Sequence, residues 1–239
     1  MFRIYFIKKV INLFDYFQQK KIFNYLKKRL SDKVTLIDVG AHHGETIDNF
    51  INNFDALEIH SFEASPENFK ILNKKFKDQK KPKIIINNYG LSNKNRELSL
   101  YQFTESSSST FSEINRESKY FKRKLKILGL DKKDNFYENL NVKLCLLDDY
   151  LDSKKIDKID LLKIDTEGHE YYVLKGSIKS LPKIRFIYFE HHYDDMLDKG
   201  YNFSEINNFL EANNFKKVFK SKMFFRKTFE YIYQNSMYK

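Results

Sequence analysis

The stretch Val34–Glu45, V-T-L-I-D-V-G-A-H-H-G-E, decides the fold. Val34, Leu36 and Ile37 form a short apolar run that closes on Asp38. A turn holding Gly40 and Gly44 follows, and a helical pattern starts behind it. Strand, glycine turn and helix make the opening unit of a nucleotide-binding α/β sheet. The chain has seven glycines in 239 residues, and two of them fall in this window. Without a Cβ the backbone there turns sharply and can approach a ligand closely.

A second strand, Leu57–Glu63, ends in an acid about twenty residues after the turn, the distance at which such folds place a carboxylate that accepts hydrogen bonds from ribose hydroxyls. The loop spacing is G-x-x-x-G rather than the G-x-G-x-x-G of a dinucleotide site. No pyrophosphate cradle is implied, which favours an adenosyl ligand without phosphates and speaks against a nicotinamide oxidoreductase.

The rest of the chain repeats the alternation. Ser65-Pro-Glu-Asn opens a helix with a capping serine, a first-turn proline and an acid on the positive end of the dipole. Ile84–Ile86 is a buried strand, and Asn88 or Tyr89 falls at its carboxyl end, where an adenine ring would lie. Arg96–Phe103 alternates as a strand. Ile159–Asp165 is the best buried strand, and Ile184–Phe189 is another, ending in Glu190-His-His192. A helix is expected near 204–213, and Met223–Tyr233 reads as a closing antiparallel strand. Residues 104–140 break this rhythm. They are expected to form a lid or insertion, because a loop of that length inside a domain is usually functional.

Residues 1–32 read as a basic amphipathic helical appendage to a domain over 33–239. Ile7, Val10, Ile11, Phe14 and Phe17 make one apolar stripe, and Ile22, Phe23, Leu26 and Leu30 another. Such a helix suits an anionic membrane surface, a dimer contact or packing against the domain. The formal charge of +11 fits acidic partners or a solvated lysine-rich surface. No run of eighteen apolar residues is present. One cysteine, Cys145, allows no internal disulfide and suits a reducing cytoplasm, with a peripheral place at the inner membrane face as a further expectation.

In an open parallel sheet, ligands bind beyond the carboxyl ends of the strands. Strand ends carry Asp38 and Glu63, which fit a cofactor, and Asp165, Glu190, His191 and His192, which fit a reaction centre; Asp165, Glu167, His169, Glu190 and His191 are the candidate bases. Asp165, His169, Glu190 and His191 could also ligate a divalent metal if they converged. That reading is not favoured, and no residue is assigned to a metal.

The pieces I-D-V-G-A-H-H-G-E-T (37–46), F-E-A-S-P-E-N-F (62–69), L-L-D-D-Y-L (146–151), L-L-K-I-D-T-E-G-H-E (161–170) and V-L-K-G (173–176) resemble the FkbM family of S-adenosylmethionine-dependent methyltransferases. The resemblance implies an α/β, Rossmann-like class I methyltransferase fold with a seven-stranded, mostly parallel sheet and helices on both faces. It implies O-methylation of a hydroxyl on a sugar or natural product, with S-adenosylmethionine as cofactor. On that resemblance Asp38, Gly40 and Gly44 would line the cofactor, Glu63 would hold its ribose and Asp165 would face the methyl group; His42 and Ala64, by their places in the loops, and Asn88, at its strand end, are further expected cofactor contacts. His42 stands where the family commonly has Asn, and Ala64 where Pro usually follows the second-strand acid.

The expected acceptor is a sugar of a surface glycan or glycolipid. The alternatives are RNA ribose methylation, which suits the charge, and a non-catalytic membrane-associated module. Only Pro66, Pro82 and Pro182 are present, so the Pro-Pro motif of base-amine methylation is absent.

Overall fold

The opening strand β1 (Lys33–Val39) lies at the middle of the sheet, with β2 (Ala56–Phe62) on one side and β8 (Ile159–Ile164) on the other. The computed structural model describes residues 17–30, 33–54, 56–104, 108–129, 136–224 and 226–238. A helix over residues 17–27 (α1) precedes β1. Then follow α2 (Glu45–Ile51), β2, α3 (Pro66–Phe76), β3 (Lys83–Asn87), β4 (Gly90–Leu91), β5 (Arg96–Phe103), β6 (Glu113–Ile114), α4 (Lys119–Leu128) and β7 (Tyr137–Cys145). After α5 (Leu147–Lys154) and β8 come α6 (Glu170–Lys175), β9 (Ile184–His192), β10 (Leu197–Asp198), α7 (Phe203–Ala212), β11 (Phe215–Lys222) and β12 (Thr228–Asn235).

The main sheet has seven strands in the order β3-β2-β1-β8-β9-β12-β11. β3 through β9 pair in parallel, and β12 runs antiparallel to both its neighbours. This is the expected mostly parallel sheet, and strand order reverses between β1 and β8. A crevice opens there beyond the strand ends.

Parallel strands must be covered on both faces, and two apolar cores do this. One holds Leu147, Leu151, Val173, Leu174, Ile206 and Leu210 from α5, α6 and α7 against Ile37, Leu162 and Ile187. The other holds Ile22, Phe23 and Leu26 of α1 with Phe50 and Leu72 against Leu36, Leu161 and Phe186. β8 is buried along its whole length because it has neighbours on both edges and cover on both faces.

Local chemistry sets the helix starts. Ser65 caps α3 by accepting the Asn68 N–H at 3.2 Å, Pro66 occupies the first turn, and Lys74 and Lys75 occupy the last. Asn202 and Glu205 close a capping box on α7.

Several boundaries differ from expectation. The helix after Gly44, expected to reach about Phe54, stops at Ile51, and the closing strand starts at Thr228 rather than near Met223. Cys145 is the last residue of β7, which starts at Tyr137, inside the segment expected to be a lid. β7 pairs with β5 over eight residues, Phe103↔Tyr137 to Arg96↔Leu144. The described part of 104–140 is thus held by a hairpin-like ladder, and Phe121 and Phe136 bury against Phe103, Met196 and Leu197. Strand pairing across a long interruption leaves no local periodic trace, so 137–140 carry no strand signal of their own.

The apolar stripe of α1 faces inward, with Ile22, Phe23, Leu26 and Leu30 all buried. Gln18 donates to Glu230 of β12. The stripe read over Ile7–Phe14 lies outside the described residues. Among the described residues, no helix is long and apolar enough to cross a membrane.

Candidate active site

The glycine turn is shaped by the protein's own packing. Gly40 has φ +81 and Gly44 φ +85, both left-handed. A Cβ on Gly40 would run into the Asp165 carbonyl oxygen, and one on Gly44 would meet the Leu72 side chain at 2.8 Å. Glycine is required here to let the first loop close on the β8 loop and on α3. The Asp165 N–H donates to the Val39 carbonyl at 2.9 Å and locks the two loops together at the crevice.

Glu63 joins the first loop to the second. One carboxylate oxygen accepts the His42 N–H at 2.7 Å and the other accepts the Ser65 N–H at 2.8 Å. Burial raises its carboxyl, and these two N–H groups oppose the rise. Each oxygen keeps a second lone pair, so the carboxylate can still accept ribose hydroxyls. Asn88 is exposed and donates to the Glu63 carbonyl at 3.0 Å, and Ala64 is half-buried beside it. His42 has φ +47, its ring stacks on His43 with centroids 3.8 Å apart, and its Nδ1 lies 3.2 Å from Glu45 Oε1.

Asp38 has no exposed surface. Its carboxylate faces Lys163, whose Nζ stands 3.4 Å from Asp38 and 3.3 Å from Asp165. Burial disfavours the ammonium, but Asp165 and Asp38 override it and hold Lys163 protonated. Burial raises the Asp38 carboxyl, and Lys163 opposes that rise. Asp165 is about a third exposed (35%) at the edge of the crevice, whereas Asp38 acts from beneath it.

The candidate bases separate into two groups because side chains alternate along a strand. Glu190 and His192 share a face of β9 with the Asp165 side of the sheet. Burial raises the Glu190 carboxyl well above the carboxylate range, and Asp165, Glu230 and Glu167 push it further. His192 Nε2 lies 3.3 Å from Glu167 Oε2 and 3.9 Å from Glu190 Oε2. Its Nδ1 lies 3.1 Å from Thr228 Oγ1 and 3.7 Å from Asp194 Oδ2. Burial alone would lower this imidazole, but Glu167 and Asp194 carry it above its ordinary value.

His191 points to the other face, among the rings of Tyr193, Tyr201 and Phe203. His169 also turns away: Nε2 lies 2.9 Å from Ser92 Oγ, and the ring stacks on Tyr172. Burial takes both imidazoles down to about 3, with Arg96 adding to the effect at His169 and Lys199 at His191. The four groups considered as metal ligands therefore do not converge.

The sequence singles out neither Lys163 nor Glu170 as a site residue, and it places His192 at a strand end beside the reaction centre without making it a base. A lysine within an apolar strand was the signal for Lys163, and the period of two from Glu190 was the signal for His192. Glu170 is buried, and one of its oxygens accepts the Thr166 N–H, the Thr166 hydroxyl and the Gly168 N–H, at 3.1, 3.0 and 3.0 Å. Its other oxygen accepts the Tyr201 hydroxyl at 2.7 Å. Across the crevice, Thr110 donates to the Glu167 carbonyl at 2.6 Å and Ser112 to the Gly168 carbonyl at 3.2 Å. The segment expected to be a lid is thus bonded directly to the β8 loop.

Residues 38–217, well over half of the chain, match a family model described as the methyltransferase FkbM domain. No curated protein matches. Among solved structures, the methyltransferase domain of METTL16 is similar at TM-score 0.52 and 11% identity, covering 92% of this chain and 67% of that one. TrmK of M. capricolum, in complex with S-adenosylhomocysteine, is similar at TM-score 0.47 and 10% identity, covering 90% and 67%. An rRNA methylase from Streptococcus thermophilus is similar at TM-score 0.49 and 9% identity, covering 91% and 96%.

Proposed function

The chain belongs to the FkbM methyltransferase family, and on that premise we propose that it moves the methyl group of S-adenosylmethionine to a hydroxyl of a sugar in a surface glycan or glycolipid. The fold is Rossmann-like class I, and the enzyme is an S-adenosylmethionine-dependent methyltransferase. The acceptor and the residue roles are the proposal.

The observation that carries it is the carboxylate–histidine face formed by Asp165, Glu167, Glu190 and His192 beside the glycine turn. A hydroxyl is a poor nucleophile until its proton is taken. Methyl transfer needs the acceptor oxygen in line with the sulfonium methyl and a base to receive the proton. Glu63, with Asn88, His42 and Ala64 around it, grips the nucleoside, while Gly40 and Gly44 shape the turn. Asp165 faces the methyl group, and Lys163 over Asp38 fixes the Asp165 carboxylate. His192, made more basic by Glu167 and Asp194, receives the acceptor proton.

The sugar reading also rests on hydrogen-bonding capacity. Asp165, Glu230 and Glu167 add to burial in holding the Glu190 carboxyl protonated beside the reaction centre. Carboxyl and imidazole groups of this kind suit hydrogen bonding to neutral hydroxyls, although the whole chain carries +11. A basic N-terminal segment resting on anionic lipid would bring a lipid-linked acceptor close.

The test is acceptor screening with methyl-labelled cofactor. Glycan or glycolipid acceptors should be labelled on oxygen, and labelling of RNA ribose in their place would overturn the choice of acceptor.

A further inference from the structure

We propose that His42, His43 and Glu45 form a binding site for a divalent transition-metal ion of the zinc, cobalt and nickel class. The inference is independent of the methyl acceptor. It concerns the rim of the first loop rather than the Asp165–His192 face.

One potential ligand atom from each of the three residues lies within 4.8 Å of the others. His42 Nδ1 and Glu45 Oε1 are already 3.2 Å apart, a normal separation for two ligands on one small ion. Two imidazoles and one carboxylate suit borderline ions. Magnesium and calcium prefer all-oxygen sites. Three protein ligands leave a fourth position open to water or a small ligand.

The surroundings fix the ligands in place. His43 Nε2 lies 3.2 Å from Asn68 Oδ1, the kind of outer hydrogen bond that orients a ligating imidazole. His42 is held at φ +47 with its N–H on Glu63, and Gly44 at φ +85 leads the chain into Glu45 at the start of α2. The nearby Lys75 ammonium is engaged by Asp48 and by the His43 carbonyl at 3.1 Å, so its charge is partly neutralised.

The experiment titrates the metal-stripped full chain with cobalt chloride and follows visible ligand-field absorption. One equivalent of cobalt should give intense bands, and zinc should displace it. His43→Ala and Glu45→Gln should each weaken cobalt affinity by about tenfold or more, with folding checked by circular dichroism. Glu45 is largely exposed, at 61% of its side chain, so Glu45→Gln remains a valid test if His43→Ala does not fold. Absence of the bands, or bands of unchanged affinity in Glu45→Gln, would overturn the proposal.

Discussion

Lys163 Nζ stands between two carboxylates of neighbouring strands, 3.4 Å from Asp38 and 3.3 Å from Asp165, with both Lys163 and Asp38 out of solvent. Breaking a buried ion pair from one side leaves the partner charge uncompensated, which typically costs about 3–5 kcal/mol. Lys163→Met should lower stability by that amount in denaturant titration. Lys163→Met combined with Asp38→Asn should recover much of the loss. An additive double variant would mean that the two groups are not coupled.

Glu63 bridges the first two loops through the His42 and Ser65 N–H groups. Its replacement by Ala removes these bonds and those proposed to the ribose. S-adenosylhomocysteine affinity measured by calorimetry should fall by about 1–3 kcal/mol. Unchanged affinity would remove Glu63 from the cofactor site.

His191 and His192 are neighbours in sequence on opposite faces of β9. His192→Gln should reduce turnover by about a hundredfold or more, the lower range for a lost general base. The wild-type rate should climb with pH through a value above 6.5, as the raised imidazole loses its proton and becomes a base. The variant should lose this limb. His191→Phe should fold and leave the pH profile in place, since that ring lies among aromatic side chains.

His169 and His191 are held neutral down to about 3, against an ordinary value of 6.5. Their folded-state values are depressed, so the unfolded chain binds protons first as pH falls below 6.5. Stability is therefore complete above 6.5 and declines on acidification towards 3, by up to about 1.4 kcal/mol per pH unit for each group. Melting curves of His169→Gln across this range should have a shallower acid slope than wild type. An identical slope would count against a neutral, buried His169.

Gly40 faces the Asp165 carbonyl at a left-handed φ. Gly40→Ala combines a clash with backbone strain of about 1–3 kcal/mol. It should lower the melting temperature and cofactor affinity together, because the two loops can no longer meet. A variant of wild-type stability would mean that the turn has room to spare.

What was legible in the sequence was local. Val34–Gly44, Leu57–Glu63 and Ile159–Asp165 each carry their strand, turn and terminal acid within a dozen residues, so the parallel sheet and its crevice could be read directly. Pairing between distant segments could not. β5 and β7 bond across more than thirty residues, and only that ladder makes strand of 137–140. Histidine is ambiguous for a related reason. His169 meets Ser92 and His192 meets Glu167 and Thr228, partners set by the fold rather than by spacing. The period of two along β9 was available, however, and it separates His191 from Glu190.

Both oxygens of Glu170 are bound by groups of the protein itself, from Thr166, Gly168 and Tyr201. The turn after β8 is therefore a rigid mould, braced from behind. If the acceptor seats there as proposed, it would meet no ordering penalty on arrival. A taste for different acceptors would have to evolve through the side chains that line the mould, because its backbone has little freedom to follow them.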